Sequence, residues 1–234
     1  MMEPQIYLWS GERELLLARH DFYMEQTKAR VLGNFNNMEE EANRFSEEVY
    51  ERIGSMPSYG DGDMSVAAEA AFEHGADFYM MLSDLKTQTT LGALASLFHQ
   101  WDKDFRDFME RQLAHSFDRA EVERNCWQPN IGKLFDVLEE WGWPLRQAPW
   151  FPLVSACRLI VNVHKHGKGR SLDELAQDYP QYFKGPFDNL GAGSWLKAPD
   201  HENLSVSEAE FDQIADALRQ FWADFPERLF MPNP

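Results

Sequence analysis

Between residues 91 and 115 the apolar side chains Leu94, Phe98, Trp101, Phe105, Phe108 and Met109 recur at steps of three and four. That period gathers them on one face of a helix and leaves His99, Lys103, Arg106 and Glu110 for a solvated face. A segment of this length and regularity can only be satisfied by burying its stripe against other helices. The same period returns along the chain. It covers 12–32 (Leu15, Leu16, Phe22, Val31) up to a break at Gly33-Asn34, and 65–85, which opens on alanine-rich sequence. Start signals precede the remaining segments: Asn37 with Glu40, Asp118 with Glu121, Pro129-Asn130, Ser171 with Glu174, and Ser207 with Glu210. They predict helices over 37–53, 118 onward, 131–141, a short one ending before Tyr179-Pro180, and a last one reaching about Phe225. Another helix is expected from Pro152 to Lys165 or His166. No stretch sustains period-two alternation of β-branched residues. The predicted fold class is all-α, a multi-helix bundle with little or no strand.

Turn-rich sequence marks loops at 54–63 and 184–203, and the first is the one internal boundary that composition suggests. We expect one helical domain over 1–234, divisible into an N-terminal part (1–60) and a core from about residue 65 to 234. With 44% hydrophobic residues, eight Trp and seventeen Phe, the chain can fill a core with large side chains. Residues 1–14 hold no basic start followed by an apolar stretch, and no segment is apolar for the roughly 18 residues that span a bilayer. A cytoplasmic protein without a membrane partner is expected.

Formal net charge is −17, from 39 acidic and 22 basic residues. Such a surface repels phosphate on average, so any nucleic-acid contact must be local. The one segment that supplies a local exception is 155–170, SACRLIVNVHKHGKGR. Helical residues four apart lie nearly in line, so Arg158, Asn162 and His166 form a polar stripe and Lys165 projects close to Arg158. Leu159, Ile160, Val161 and Val163 make most of the remaining circumference apolar, and His164 points elsewhere. Burying Arg, Asn and His in one row costs several kcal/mol unless each is paired or opens onto a cleft. The stripe therefore either ends on carboxylates of neighbouring helices or handles an anion. Lys165, His166, Lys168 and Arg170 form a basic cluster, and Gly167 and Gly169 let backbone amides approach a ligand. Lys165, Lys168 and Arg170 are the candidate phosphate-binding residues.

At these residues the sequence resembles the HEPN superfamily, helical bundles that include many bacterial toxin and antiviral ribonucleases. Their signature is an Arg and a His with four to six residues between them. Arg158 and His164 meet that spacing, with Leu159 where the family prefers a polar residue. Asn162, Lys165, His166 and Gly167 fit the core Arg-x-x-x-Asn-x-x-Lys-His-Gly of uncharacterised HEPN-like proteins, and the resemblance covers about 131–183. It implies metal-independent RNA cleavage, in which the 2′-hydroxyl attacks the adjacent phosphate. His166 (or His164) would act as acid or base, as imidazole can at cellular pH. Arg158 would clamp the charged phosphorane, and Asn162 would orient the His or a phosphate oxygen. The catalytic set implied is thus Arg158, Asn162 and His166, with no metal or cofactor. Two such helices usually meet across a homodimer in this superfamily, and a bacterial defence or toxin–antitoxin setting follows.

The alternative is a catalytically silent helical module that binds a protein partner, a role for which the acidic surface is suited. Other chemistries fare worse. His164-x-His166 diverges on a helix and lacks a third zinc ligand. The Asp61-x-Asp63 pair lacks the rest of a calcium loop. Cys126 and Cys157 have no ligand spacing, and Cys157 reads as a reduced, buried thiol.

Overall fold

The computed structural model describes residues 4–55, 64–128, 130–184 and 199–232. Its helices are α1 (Ser10–Arg30), α2 (Met38–Gly54), α3 (Met64–Leu113), α4 (Arg119–Trp127), α5 (Ile131–Glu140), α6 (Phe151–His166), α7 (Arg170–Asp178) and α8 (Glu208–Asp224). The only sheet among the described residues pairs β1 (Gln5–Tyr7) with β2 (Arg228–Phe230), antiparallel, with Ile6 opposite Leu229. The all-α class expected from periodicity holds. No described helix is long and apolar enough to cross a membrane.

Contacts divide the chain into two compact units, one from Met1–Glu25 with Leu91–Pro234 and the other from Gln26–Thr90. The boundaries fall inside α1 and α3.

In the larger unit the core is aromatic. Phe221 of α8 meets Trp101 and Phe105 of α3 edge-on, at ring-centre distances of 4.9 and 5.1 Å, and Trp143 at 5.3 Å. Phe135 of α5 bridges Phe105 and Phe151 at 6.0 and 5.6 Å. Aromatic pairs, edge-to-face or offset-stacked, add roughly 0.5–1.5 kcal/mol each beyond the area they bury. The indole Nε1 of Trp101 is buried there without a hydrogen-bond partner among the described residues. Arg13 reaches from α1 to donate to the carbonyls of Trp222 and Ala223, at 2.6 and 2.8 Å, which closes the C-terminal end of α8.

The smaller unit is built on α2 and the first part of α3. Phe45 stacks on Phe78 at 4.7 Å, and the Ser46 hydroxyl donates to the carbonyl of Ala71 at 2.8 Å. A Cβ at Gly75 would fall 2.9 Å from that of Ser46, so the close crossing of the two helices needs glycine there.

Four local expectations change. The segments 65–85 and 91–115 are one helix, α3. The polar stretch between the two apolar runs, KTQTT at 86–90, holds no Gly or Pro to end the helix, and the hydroxyls of Thr87 and Thr90 are satisfied within it by the carbonyls of Ser83 and Lys86. Arg106, expected on the solvated face, is buried, where it binds Asp102 and donates to the carbonyl of Cys126 at 2.6 Å. Asn37 stands at the start of α2 but makes no capping bond, and α7 starts at Arg170 with no cap from Ser171. In contrast, Asp118 caps α4, and Ser207 with Glu210 forms a complete capping box on α8. The loop at 56–63, with its Asp61-x-Asp63 pair, and most of 184–203 lie outside the described residues.

Phe221 touches rings from several elements, so Phe221→Ala should cost about 3–5 kcal/mol, read as a lower urea midpoint at unchanged m-value. A second expectation concerns acid. Burial raises the Glu210 carboxyl, but the Ser207 hydroxyl and amide and the Lys184 ammonium outweigh it and hold the carboxyl below its ordinary value. The folded state then binds this proton less tightly than the unfolded chain. Its stabilisation is complete above the ordinary glutamate pKa and is lost as pH falls through the lower folded value. Glu210→Gln should flatten the fall of stability with pH in that window, measured by urea titration at successive acid pH values.

Candidate functional site

Helix α6 is buried on most of its circumference: Val154, Ala156, Cys157, Leu159, Ile160, Val161 and Val163 are all inside. It packs against α7 and α8. The apolar residues predicted to surround the stripe do so, and the helix persists to His166. Arg158 and Asn162 are half-buried and His166 is exposed, so the row is neither fully buried nor fully wet.

The three stripe residues do not share one site. Arg158 alone lines a cleft of about 390 Å³, whose floor is Phe98, Phe135 and Phe151. Around it stand Arg146, Arg158 and Arg170 with one carboxylate, Glu174. Arg170 Nε donates to Glu174 Oε1 at 2.6 Å, and Arg158 Nη2 lies 3.8 Å from Glu174 Oε2. The cap position of α7 falls on Gly169, so Ser171 lies within the first turn and cannot cap it, and Glu174 is paired with the arginines instead. Arg146 is held by Asp136 at 2.7 Å and by Glu139, and it lies over the Phe151 ring at 6.0 Å.

Two helix N-termini end in the same cleft. Asn130, Ile131 and Gly132 bring the start of α5, and Arg170 and Ser171 bring the start of α7. Neither start carries a side-chain cap. The first turns of both helices, each with the positive end of its dipole, thus border a space lined by three arginines. In a chain of charge −17 three arginines are gathered here, each paired with a carboxylate: Arg146 with Asp136 and Glu139, Arg158 and Arg170 with Glu174.

The remaining predicted residues sit beyond the cleft, at the turn from α6 to α7. Lys165 is exposed, and Lys168 pairs with Asp200 at 3.2 Å. Asp200 also holds His201, whose ring stands beside Gly167. Among the described residues, Asn162 and His166 make no side-chain hydrogen bond or ion pair. His164 is half-buried, and burial lowers its pKa. Burial raises both thiols, Cys126 to about 11 and Cys157 beyond the range in which a thiolate forms, so neither is a nucleophile at neutral pH. No group of three or more His, Cys, Asp or Glu side chains among the described residues is arranged to hold a metal ion.

Arg146, the start of α5, and His201 were not singled out from the sequence. Nothing in their spacing points to Arg158, since only the tertiary packing of α5, α6 and α7 gathers them. No family model matches the chain, and no curated protein or solved structure matches it.

Gly167 (φ +70°) and Gly169 (φ +148°) shape the corner that aims Arg170 and the start of α7 at Arg158. A Cβ on Gly167 would also come within 3.3 Å of the His201 ring. Gly167→Ala should therefore destabilise the fold by about 1–3 kcal/mol, seen as a lower urea midpoint.

Proposed function

We propose that the protein is a HEPN-like, metal-independent endoribonuclease of the cytoplasm, in a bacterial defence or toxin–antitoxin setting, which grips RNA phosphate at the Arg158 cleft. The observation that carries this reading is the convergence of Arg146, Arg158 and Arg170 with two uncapped helix N-termini on one cleft of a strongly acidic chain. Phosphate oxygens suit both kinds of donor, and the aromatic floor offers a surface for a base.

Catalysis needs a second copy. Arg158 and His166 are eight residues apart on α6, about 12 Å along its axis, too far to serve one phosphate within a single chain. Asn162 is midway between them. A two-fold axis through Asn162 of paired, antiparallel α6 helices sets His166 of each copy opposite Arg158 of the other, as an isologous interface requires. In that arrangement one imidazole takes the proton of the 2′-hydroxyl as its oxygen attacks phosphorus. The bond to the 5′-oxygen breaks, that oxygen receives a proton, and a 2′,3′-cyclic phosphate remains. Arg158 bears the charge on the phosphorane, and Lys165, Lys168 and Arg170 hold flanking phosphates.

A second reading, the catalytically silent module that binds a protein partner, is favoured by Glu174. It already occupies the space between Arg158 and Arg170, which lowers the charge available to an anion.

Cleavage of single-stranded RNA in EDTA separates them. Arg158→Ala and His166→Ala should each lower the rate about a hundredfold or more with the fold intact by circular dichroism. Mixing the two inactive variants should restore up to about a quarter of wild-type activity, because each mixed dimer keeps one whole site. Intact RNA with every sequence tried would leave the silent module as the better account. Cleavage without restoration on mixing would overturn the shared site.

A further inference from the structure

A different surface, within Gln26–Thr90 and independent of the Arg158 cleft, carries its own chemistry. Two hollows of about 500 and 330 Å³ lie between α2 and the first part of α3 and share Ser46, which makes them one groove. Its α2 wall is Glu39, Asn43, Glu47 and Glu51, residues spaced at multiples of four and so in line along the helix. Its α3 wall is apolar, led by Phe72 and Met80, which are 73% and 63% exposed. Ala42, Ser46 and Gly75 keep the floor low, so the groove is open to a bulky occupant.

Two features say what fits. No lysine or arginine lines either hollow, and among the described residues Glu39, Glu47 and Glu51 make no ion pair. One wall thus offers unpaired carboxylates and the other a pliant apolar strip of Phe and Met, the surface that amphipathic helices enter. RNA and anionic membranes are repelled by the carboxylates. A second copy of this chain would bring a further net charge of −17 to these carboxylates.

We propose that this groove receives a basic amphipathic helix of a protein partner, its apolar face on Phe72 and Met80 and its lysines or arginines on Glu39, Glu47 and Glu51. Glu39 to Glu51 spans about 18 Å, so the helix seated there is about three turns long.

The test uses the full-length protein and a fluorescein-labelled helical peptide of about 14 residues, with leucines at i, i+3, i+4 and i+7 and lysines elsewhere. Anisotropy should report binding that Phe72→Glu or Met80→Glu weakens at least about tenfold. Joint Glu47→Lys and Glu51→Lys should do the same, whereas joint Glu121→Lys and Glu123→Lys on α4 should change affinity by less than about twofold. Equal loss from the α4 reversals would mean that the peptide reads only net charge, and would overturn the proposal. So would unchanged binding in the Phe72 and Met80 variants. A dimer that becomes monomeric in sedimentation on Phe72→Glu would give the groove to a second copy instead. Loss of single-stranded RNA binding in that variant would give it to nucleic acid.

Discussion

The aromatic packing around Phe221 fixes the elements on which the rest of the larger unit depends. Rings from α3, α5, α6 and α8 meet edge to face there, and Trp143 from the turn between α5 and α6 joins them at a tilt. Such contacts are directional, so they constrain orientation as well as distance. Phe98, Phe135 and Phe151 belong to this packing and also floor the cleft. The surface a ligand would meet is therefore the outer side of the core, and its shape is set by interactions that no ligand has to supply.

Charge is distributed to match. The chain is acidic overall, yet three arginines border one cleft and all of them are held in place by carboxylates. Those carboxylates keep the guanidinium groups oriented, and they also compete with an incoming anion. Glu174 is central to this balance, because it contacts both Arg158 and Arg170. Any anion that binds there must displace Glu174 or share the two arginines with it. In the Gln26–Thr90 unit the sign is reversed, since the groove between α2 and α3 has carboxylates and no cation in its lining.

Much of this was legible in the sequence. The apolar stripe from Leu94 to Met109, the limits of α6 and the capping box at Ser207 follow from local period and local chemistry, and local rules are what a sequence exposes directly. Local rules failed where tertiary partners competed for the same side chains. Glu174 pairs with two arginines and α7 starts at Arg170, Arg106 found Asp102 and a backbone carbonyl inside the core, and α3 runs on through a polar stretch that reads as a break. For the candidate site, Arg158 was visible as an arginine on an apolar helix. Arg146 and the start of α5 were not, because their approach to Arg158 depends on how three helices pack.

The division of the chain also bears on its synthesis. The larger unit is assembled from residues on both sides of Gln26–Thr90. Arg13 must wait for the carbonyls of Trp222 and Ala223, 209 and 210 residues further on, and β1 must wait for β2. As the chain leaves the ribosome, the α2–α3 hairpin can form from neighbouring residues while the first 25 residues have no core to join. The inserted hairpin is thus set to order early, and the segment that precedes it is among the last to find its place.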